Sequence, residues 1–128
     1  MLKILTVDDS AIVAERLREM FNEMPDVVYR GNATNIAGAL HLVKKEMPHV
    51  IILDIHLESE MPTANGINLL VSLRKLYADL KIVMLTNLAE DQYRNTCLFL
   101  GADYFLDKSN EFEKIPHIIQ ELNKSKVA

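Results

Sequence analysis

The chain of 128 residues has no tryptophan, one cysteine, four prolines and four glycines. Each scarcity excludes something. With Cys97 alone, no intramolecular disulfide can staple the fold, so stability must come from a packed core. Its place beside Leu98 and Leu100 marks Cys97 as a small buried thiol, not a redox sensor. Glycine and proline are too rare for a repetitive or low-complexity chain, and no Gly-rich phosphate loop of the Walker or dinucleotide type is present. No apolar run exceeds strand length, which rules out a membrane-spanning helix. Met1-Leu2-Lys3 leads straight into a strand without a signal-peptide pattern, so a cytoplasmic location is expected. Lys and Arg form no cluster and the net charge is −4, which argues against nucleic acid as a direct partner. His41, His49, His56 and His117 lack metal-ligand spacing and are expected to be surface or half-buried imidazoles.

Five strand-like runs alternate with helical patterns, and no linker separates them. Leu2 to Val7 reads as the first strand, followed by a helix with Val13, Leu17, Phe21 and Met24 on one face. A short strand near Val27 to Arg30 leads to a helix carrying Ile36, Leu40, Val43 and Met47, stopped by Pro48. Val50 to Leu53 is an unbroken apolar run, as expected of a strand covered on both faces of a parallel sheet. Gly66 opens a third helix with Leu69, Leu73 and Leu76. Lys81 to Leu85, a helix ending at Leu100-Gly101, Tyr104 to Leu106 and a helix through Leu122 complete the series. Met20, Met24 and Met47 are expected to fill the core, and Ser10 to cap the first helix. This alternation implies right-handed crossovers and a three-layer α/β sandwich.

Five polar residues stand at the ends of these runs: Asp8 and Asp9 after KILTV, Asp54 after VIIL, Thr86 after KIVML, Lys108 after YFLD. In a parallel sheet, residues just past the strand ends converge on one crevice. Three carboxylates brought together must share a proton, shift their pKa values or recruit a cation. Mg²⁺ suits them, because it takes one or two carboxylates and keeps sites for water and phosphate oxygens. A carboxylate there can attack a phosphoryl group to give an aspartyl phosphate, while an ammonium and a hydroxyl neutralise and orient it. Singly, the acid pair is better read as a helix cap, Asp54 as a loop acid, Thr86 as a turn residue and Lys108 as a solvated charge. Jointly these bland readings fail, since independent surface residues have no reason to end four separate strands.

The order Asp8-Asp9, Asp54, Thr86, Lys108, with the segment GADYFLDK from Gly101, resembles the receiver domain of bacterial two-component response regulators over essentially the whole chain. The resemblance implies a flavodoxin-like (βα)5 sandwich with parallel strand order 2-1-3-4-5; a chemotaxis receiver is a standard example of that order. It further implies that Asp54 accepts phosphate from a sensor histidine kinase or phosphotransfer protein. Asp8, Asp9, Asp54 and the backbone carbonyl of His56 would hold Mg²⁺. Lys108 would pair with the phosphoryl group, and Thr86 and Phe105 would be the switch residues. The expected protein is one receiver domain over residues 1–128 with no output domain. It would not be an enzyme in its own right, although it would promote its own phosphorylation and dephosphorylation. Its output would be altered affinity for a protein target at the face of the fourth helix, fifth strand and fifth helix.

Three features depart from the receiver pattern. Pro62 and Gly66 arrive four residues late, so the loop after Asp54 is longer and carries Glu58 and Glu60. Asn87 follows the switch hydroxyl where a very small residue is usual. Ser109 follows Lys108 in place of proline, and a trans Lys108–Ser109 bond is expected, because a cis bond without proline costs about 2.5–4 kcal/mol. Two other readings remain beside the receiver. One is an unphosphorylated, receiver-like docking module, against which the complete acid and lysine set argues. The other is a Mg²⁺-dependent phosphohydrolase, which needs a dedicated general acid and has only His56 and Glu58 nearby.

Overall fold

The computed structural model describes residues 1–57 and 65–127, except for the side chains at 126 and 127. Glu58, Glu60 and Pro62 of the lengthened loop lie outside the described residues. The chain forms β1 (Leu2–Val7), α1 (Ala11–Asn22), β2 (Val27–Ala33), α2 (Ile36–Glu46), β3 (Val50–Leu53) and α3 (Gly66–Leu76). It continues with β4 (Lys81–Thr86), α4 (Asp91–Phe99), β5 (Tyr104–Asp107), a 3₁₀ turn at Phe112–Lys114 and α5 (Ile115–Val127). Every strand pairing is parallel and the order is β2-β1-β3-β4-β5, as the resemblance implied. No described helix is long and apolar enough to cross a membrane.

β3 shows why three layers form. Side chains alternate across a strand, so Ile51 and Leu53 join Leu5, Val7, Ile82 and Met84 in a core under α2, α3 and α4. Val50 and Ile52 join Ile4, Val83 and Leu85 in a second core against α1 and α5. All four β3 side chains are buried, and each large one contributes about 1.5–3 kcal/mol by leaving water. The starts of α1, α2 and α3 are set by short polar side chains. Ser10 Oγ accepts from the Val13 N–H at 3.3 Å, Asn35 Oδ1 from Gly38 at 2.7 Å and Asn65 Oδ1 from Ile67 at 2.8 Å. Such caps satisfy orphan amides and stabilise by about 1 kcal/mol each. Met20 and Met24 pack against the second core as expected, and Cys97 is fully buried.

Three sequence expectations need correction. The second strand does not stop at Arg30 but runs to Ala33, through a register shift between Ile4 and Thr6 in β1. Gly31, at φ 127°, supplies the left-handed backbone at that bulge. Met47 is not core filler: it is 70% exposed and caps α2 in a left-handed conformation at φ 48°. Leu76 is 63% exposed, and Leu70 is buried in α3 beside Leu69 and Leu73. Both misread residues sit at a helix end, where the 3.6-residue period no longer aims a side chain at the sheet.

Candidate functional site

Five parallel strands deliver all their carboxyl ends to one edge, and the polar residues singled out above meet there. Lys108 Nζ lies 2.8 Å from Asp8 Oδ2 and 2.9 Å from Asp54 Oδ2. The two aspartates are 100 and 54 positions away in sequence. Asp8, Asp9 and Asp54 each offer a carboxylate oxygen within 4.8 Å of the other two. Asp8 and Asp54 are buried, whereas Asp9 is exposed. Each buried acid also accepts from the backbone: Asp8 Oδ1 from the Ser10 N–H at 2.8 Å, Asp54 Oδ1 from the His56 N–H at 3.3 Å. The side chain of His56 is exposed.

Burial sets the electrostatics. Loss of water pushes the Asp8 carboxyl above its ordinary value, a rise only partly offset by the hydrogen bond from Lys108 and the amide of Ser10. Burial alone would lower the Lys108 ammonium. Its bonds to Asp54 and Asp8, together with their charges, outweigh that and hold it above its usual range. Lys108 therefore stays a cation, at a point where a negatively charged group would be stabilised.

A cleft of about 320 Å³ opens onto this cluster, lined by Asp9, Asp54, His56, Thr86, Leu88 and Lys108 among others. Thr86 is fully buried, and its Oγ1 accepts from the Leu88 N–H at 3.2 Å. The backbone that carries Asp54 admits no side chain at Gly66, where a Cβ would lie 1.9 Å from the Asp54 carbonyl oxygen. The Gly66 N–H donates to Ile55 O at 2.7 Å. The start of α3 is thus pressed against the backbone that carries Asp54.

The family match decides what this edge belongs to. The sequence fits the family described as the response regulator receiver domain across residues 4–120. The chain belongs to that family. A protein-glutamate methylesterase/protein-glutamine glutaminase of Treponema pallidum is 33% identical over 109 residues, 84% of this chain and 26% of that protein. A second protein of that description, from Saccharophagus degradans, is 37% identical over 112 residues, 86% of this chain and 31% of that protein. The chain thus spans under a third of the length of these curated relatives. The solved response regulator domain of Thermotoga maritima CheB has a TM-score of 0.82 at 25% identity, covering 100% of this chain and 98% of that one. The receiver domain of Francisella response regulator 1452 gives 0.85 at 25% identity, covering 98% and 99%.

Two of this receiver's departures from the family pattern touch each other. Ser109 Oγ donates to Asn87 Oδ1 at 3.1 Å, beside the cleft. The Lys108–Ser109 bond is trans, as expected. The loop is held instead by Asp107, whose Oδ1 accepts from the Ser109 N–H at 2.9 Å and whose Oδ2 accepts from Asn110 at 2.8 Å. The Lys108 N–H donates to Thr86 O at 2.9 Å, which ties β5 to β4.

Phe105 is buried in the core under α4. Sequence reasoning missed what holds it there. The Arg94 guanidinium lies 4.9 Å from its ring centroid and donates to Phe105 O at 2.9 Å. Arg94 also pairs with Glu111 Oε1 at 3.2 Å, an oxygen that accepts from the Asp107 N–H at 3.0 Å. Nothing in the spacing of Arg94 and Glu111 announces this cross-element contact. The polar Gly31-Asn32 pair inside an otherwise strand-like run was a legible bulge signal.

Proposed function

We propose that this receiver stores a signal as an aspartyl phosphate on Asp54 and transmits it through a change in protein affinity. The observation that carries the reading is Lys108 shared between Asp8 and Asp54, with Asp9 alongside, at the base of a cleft. Three carboxylates face one ammonium, so the group keeps an excess of negative charge that fits a divalent cation with hard oxygen preference. Mg²⁺, held by Asp8, Asp9, Asp54 and the His56 carbonyl, would neutralise charge on the transferring phosphoryl group.

In the transfer an Asp54 carboxylate oxygen attacks phosphorus, and the bond from phosphorus to the donor atom breaks, its electron pair leaving with the donor. Lys108 moves its hydrogen bond from Asp54 to a phosphoryl oxygen, and the Thr86 hydroxyl donates to another. The phosphodonor is a sensor histidine kinase or phosphotransfer protein. The output face is that of α4, β5 and α5. Thr86 and Phe105 are the switch residues, and the Arg94–Glu111 contacts bind α4 to β5 beside them. Phe99, 89% exposed at the end of α4, presents apolar surface to a partner. The methylesterase relatives lend this reading their receiver segment alone, and methylester hydrolysis is no part of it.

Incubation with acetyl phosphate and Mg²⁺, followed by intact mass, tests the reading. One phosphoryl group is expected on the wild type, none on Asp54→Asn and none in excess chelator. An Asp54→Asn protein that still gains the group would refute the assignment. A wild type that stays unlabelled with both acetyl phosphate and a phosphorylated histidine donor would favour the docking-module alternative.

A further inference from the structure

Beneath the acid pair lies a polar chain that the phosphoryl chemistry does not use. Thr6, the penultimate residue of β1, is fully buried. Its Oγ1 lies 2.8 Å from the Tyr29 hydroxyl and 2.8 Å from Asn32 Oδ1. Asn32 Nδ2 in turn donates to the backbone carbonyl of Asp8 at 3.0 Å.

The polarity of this chain has one consistent solution. A backbone carbonyl can only accept, so the Asn32 amide must turn its NH₂ toward Asp8, which leaves Oδ1 facing Thr6. Oδ1 can only accept, so the single Thr6 proton points at Asn32. The Tyr29 hydroxyl must then donate to Thr6. Every group is satisfied, and the arrangement runs outward from β2 to the first acid of the site. It exists because of the bulge. Gly31 at φ 127° and the register shift in β1 turn Asn32 back over the end of β1, as bulges near functional sites commonly re-aim a side chain.

Asp8 is thereby gripped twice by the end of β2: its N–H donates to Ala33 O at 3.0 Å and its C=O accepts from Asn32. That carbonyl belongs to the Asp8–Asp9 peptide. Its orientation sets how the buried Asp8 carboxylate and the exposed Asp9 carboxylate are spaced.

We propose that Asn32 is a positioning residue for the divalent-cation site, holding the Asp8–Asp9 peptide through the Asp8 carbonyl so that both carboxylates face one ion. This rests on the reading of the acid cluster given under Proposed function. Partners that orient metal ligands from behind are commonly worth 10–100-fold in metal affinity.

The test is calorimetric titration with MgCl₂ alone, beside thermal unfolding in chelator, on wild type, Asn32→Leu, Asn32→Ala and Thr6→Val. Both Asn32 variants remove the donor to Asp8, by an apolar branch in one case and a small gap in the other. Their Kd for Mg²⁺ should rise by about ten-fold or more. Thr6→Val removes both Thr6 Oγ1 bonds, to the Tyr29 hydroxyl and to Asn32 Oδ1, but leaves the Asn32 Nδ2 donor to the Asp8 carbonyl in place. It should lower the melting temperature while moving the Kd by less than about three-fold, a split that a merely structural role for Asn32 would not produce. The inference is overturned if the wild type binds Mg²⁺ and either folded Asn32 variant binds within two-fold of it, or if Thr6→Val weakens binding as much as they do. A wild type with no saturable Mg²⁺ response would instead sink the acid-cluster reading, and this inference with it.

Discussion

The two edges of one sheet carry opposite chemistry. At the carboxyl edge, buried Asp8 and Asp54 share Lys108, and a cleft lined mostly by polar residue types opens above them. At the amino edge, a larger cleft of about 620 Å³ is lined mainly by apolar groups, among them Leu2, Val43, Met47, Leu76 and Leu122. Charge buried at one edge has to be matched group by group, because an unpaired ion there costs several kcal/mol. Apolar residues at the other edge need only leave water, and they tolerate partial exposure. The carboxyl edge should therefore be intolerant of single changes and the amino edge forgiving.

The largest expected break is Lys108→Met. Removing a preorganised cation from a transfer site commonly costs 10²–10³ in rate, so Asp54 labelling by acetyl phosphate should slow by at least ~100-fold. Two buried carboxylates would then face each other without a cation, and breaking such a group costs roughly 3–5 kcal/mol. The Asp8 carboxyl, already raised by burial, rises further. A carboxyl raised in the folded state binds its proton more tightly there than in the unfolded chain, so ionising it lowers stability as pH rises through that window. The variant should regain stability on mild acidification or with added Mg²⁺. Denaturant unfolding across pH checks this, and a variant as stable as wild type at neutral pH in chelator would contradict it.

Next in size is Gly66→Ala. The new methyl would meet the Asp54 carbonyl oxygen at 1.9 Å, a backbone atom that no rotamer change can move aside. Overpacking of this kind costs about 1–3 kcal/mol. The displaced atom belongs to Asp54, the proposed phosphoacceptor, so labelling should fall with stability. Full labelling in a destabilised variant would mean that the strain is absorbed in α3 and never reaches the site.

The same contrast explains what the sequence revealed. The clustering at the carboxyl edge was legible because Asp8, Asp9, Asp54, Thr86 and Lys108 are defined by where strands end, and apolar runs mark those ends plainly. The sheet order came from the resemblance, not from periodicity. Met47 and Leu76 were misread because helix periodicity continues on paper to the helix end, where Met47 already leaves the helix as a left-handed cap and Leu76 closes the last turn facing water. Asn32, Arg94 and Glu111 act across elements, so their partners depend on tertiary geometry that no local pattern encodes.

A smaller effect tests how α4 is tied to β5 beside the site. The Asp107 amide, then Lys114 and Arg94, hold the Glu111 carboxyl down at about 2. A depressed carboxyl contributes stability that is complete above its unfolded value near 4.5 and is lost as pH falls toward about 2. Glu111→Gln should flatten the acid limb of the melting-temperature profile in that window and leave the neutral region little changed. An acid limb as steep as that of wild type would show that other carboxylates govern it.

The smallest effect is expected at the amino edge, with the opposite sign. Met47 is 70% exposed and holds a left-handed backbone at φ 48°, a conformation that disfavours a side chain by about 1–2 kcal/mol. Glycine adopts it freely but loses roughly 0.5–1 kcal/mol more entropy on ordering. The balance leaves Met47→Gly more stable by about 0.5–1 kcal/mol, with Asp54 labelling unchanged. Urea unfolding resolves a difference of that size. Because Met47 also lines the apolar cleft, a loss of stability would show that its side chain contributes more by packing there than its backbone costs. The amino edge would then be a fitted surface and not a forgiving one.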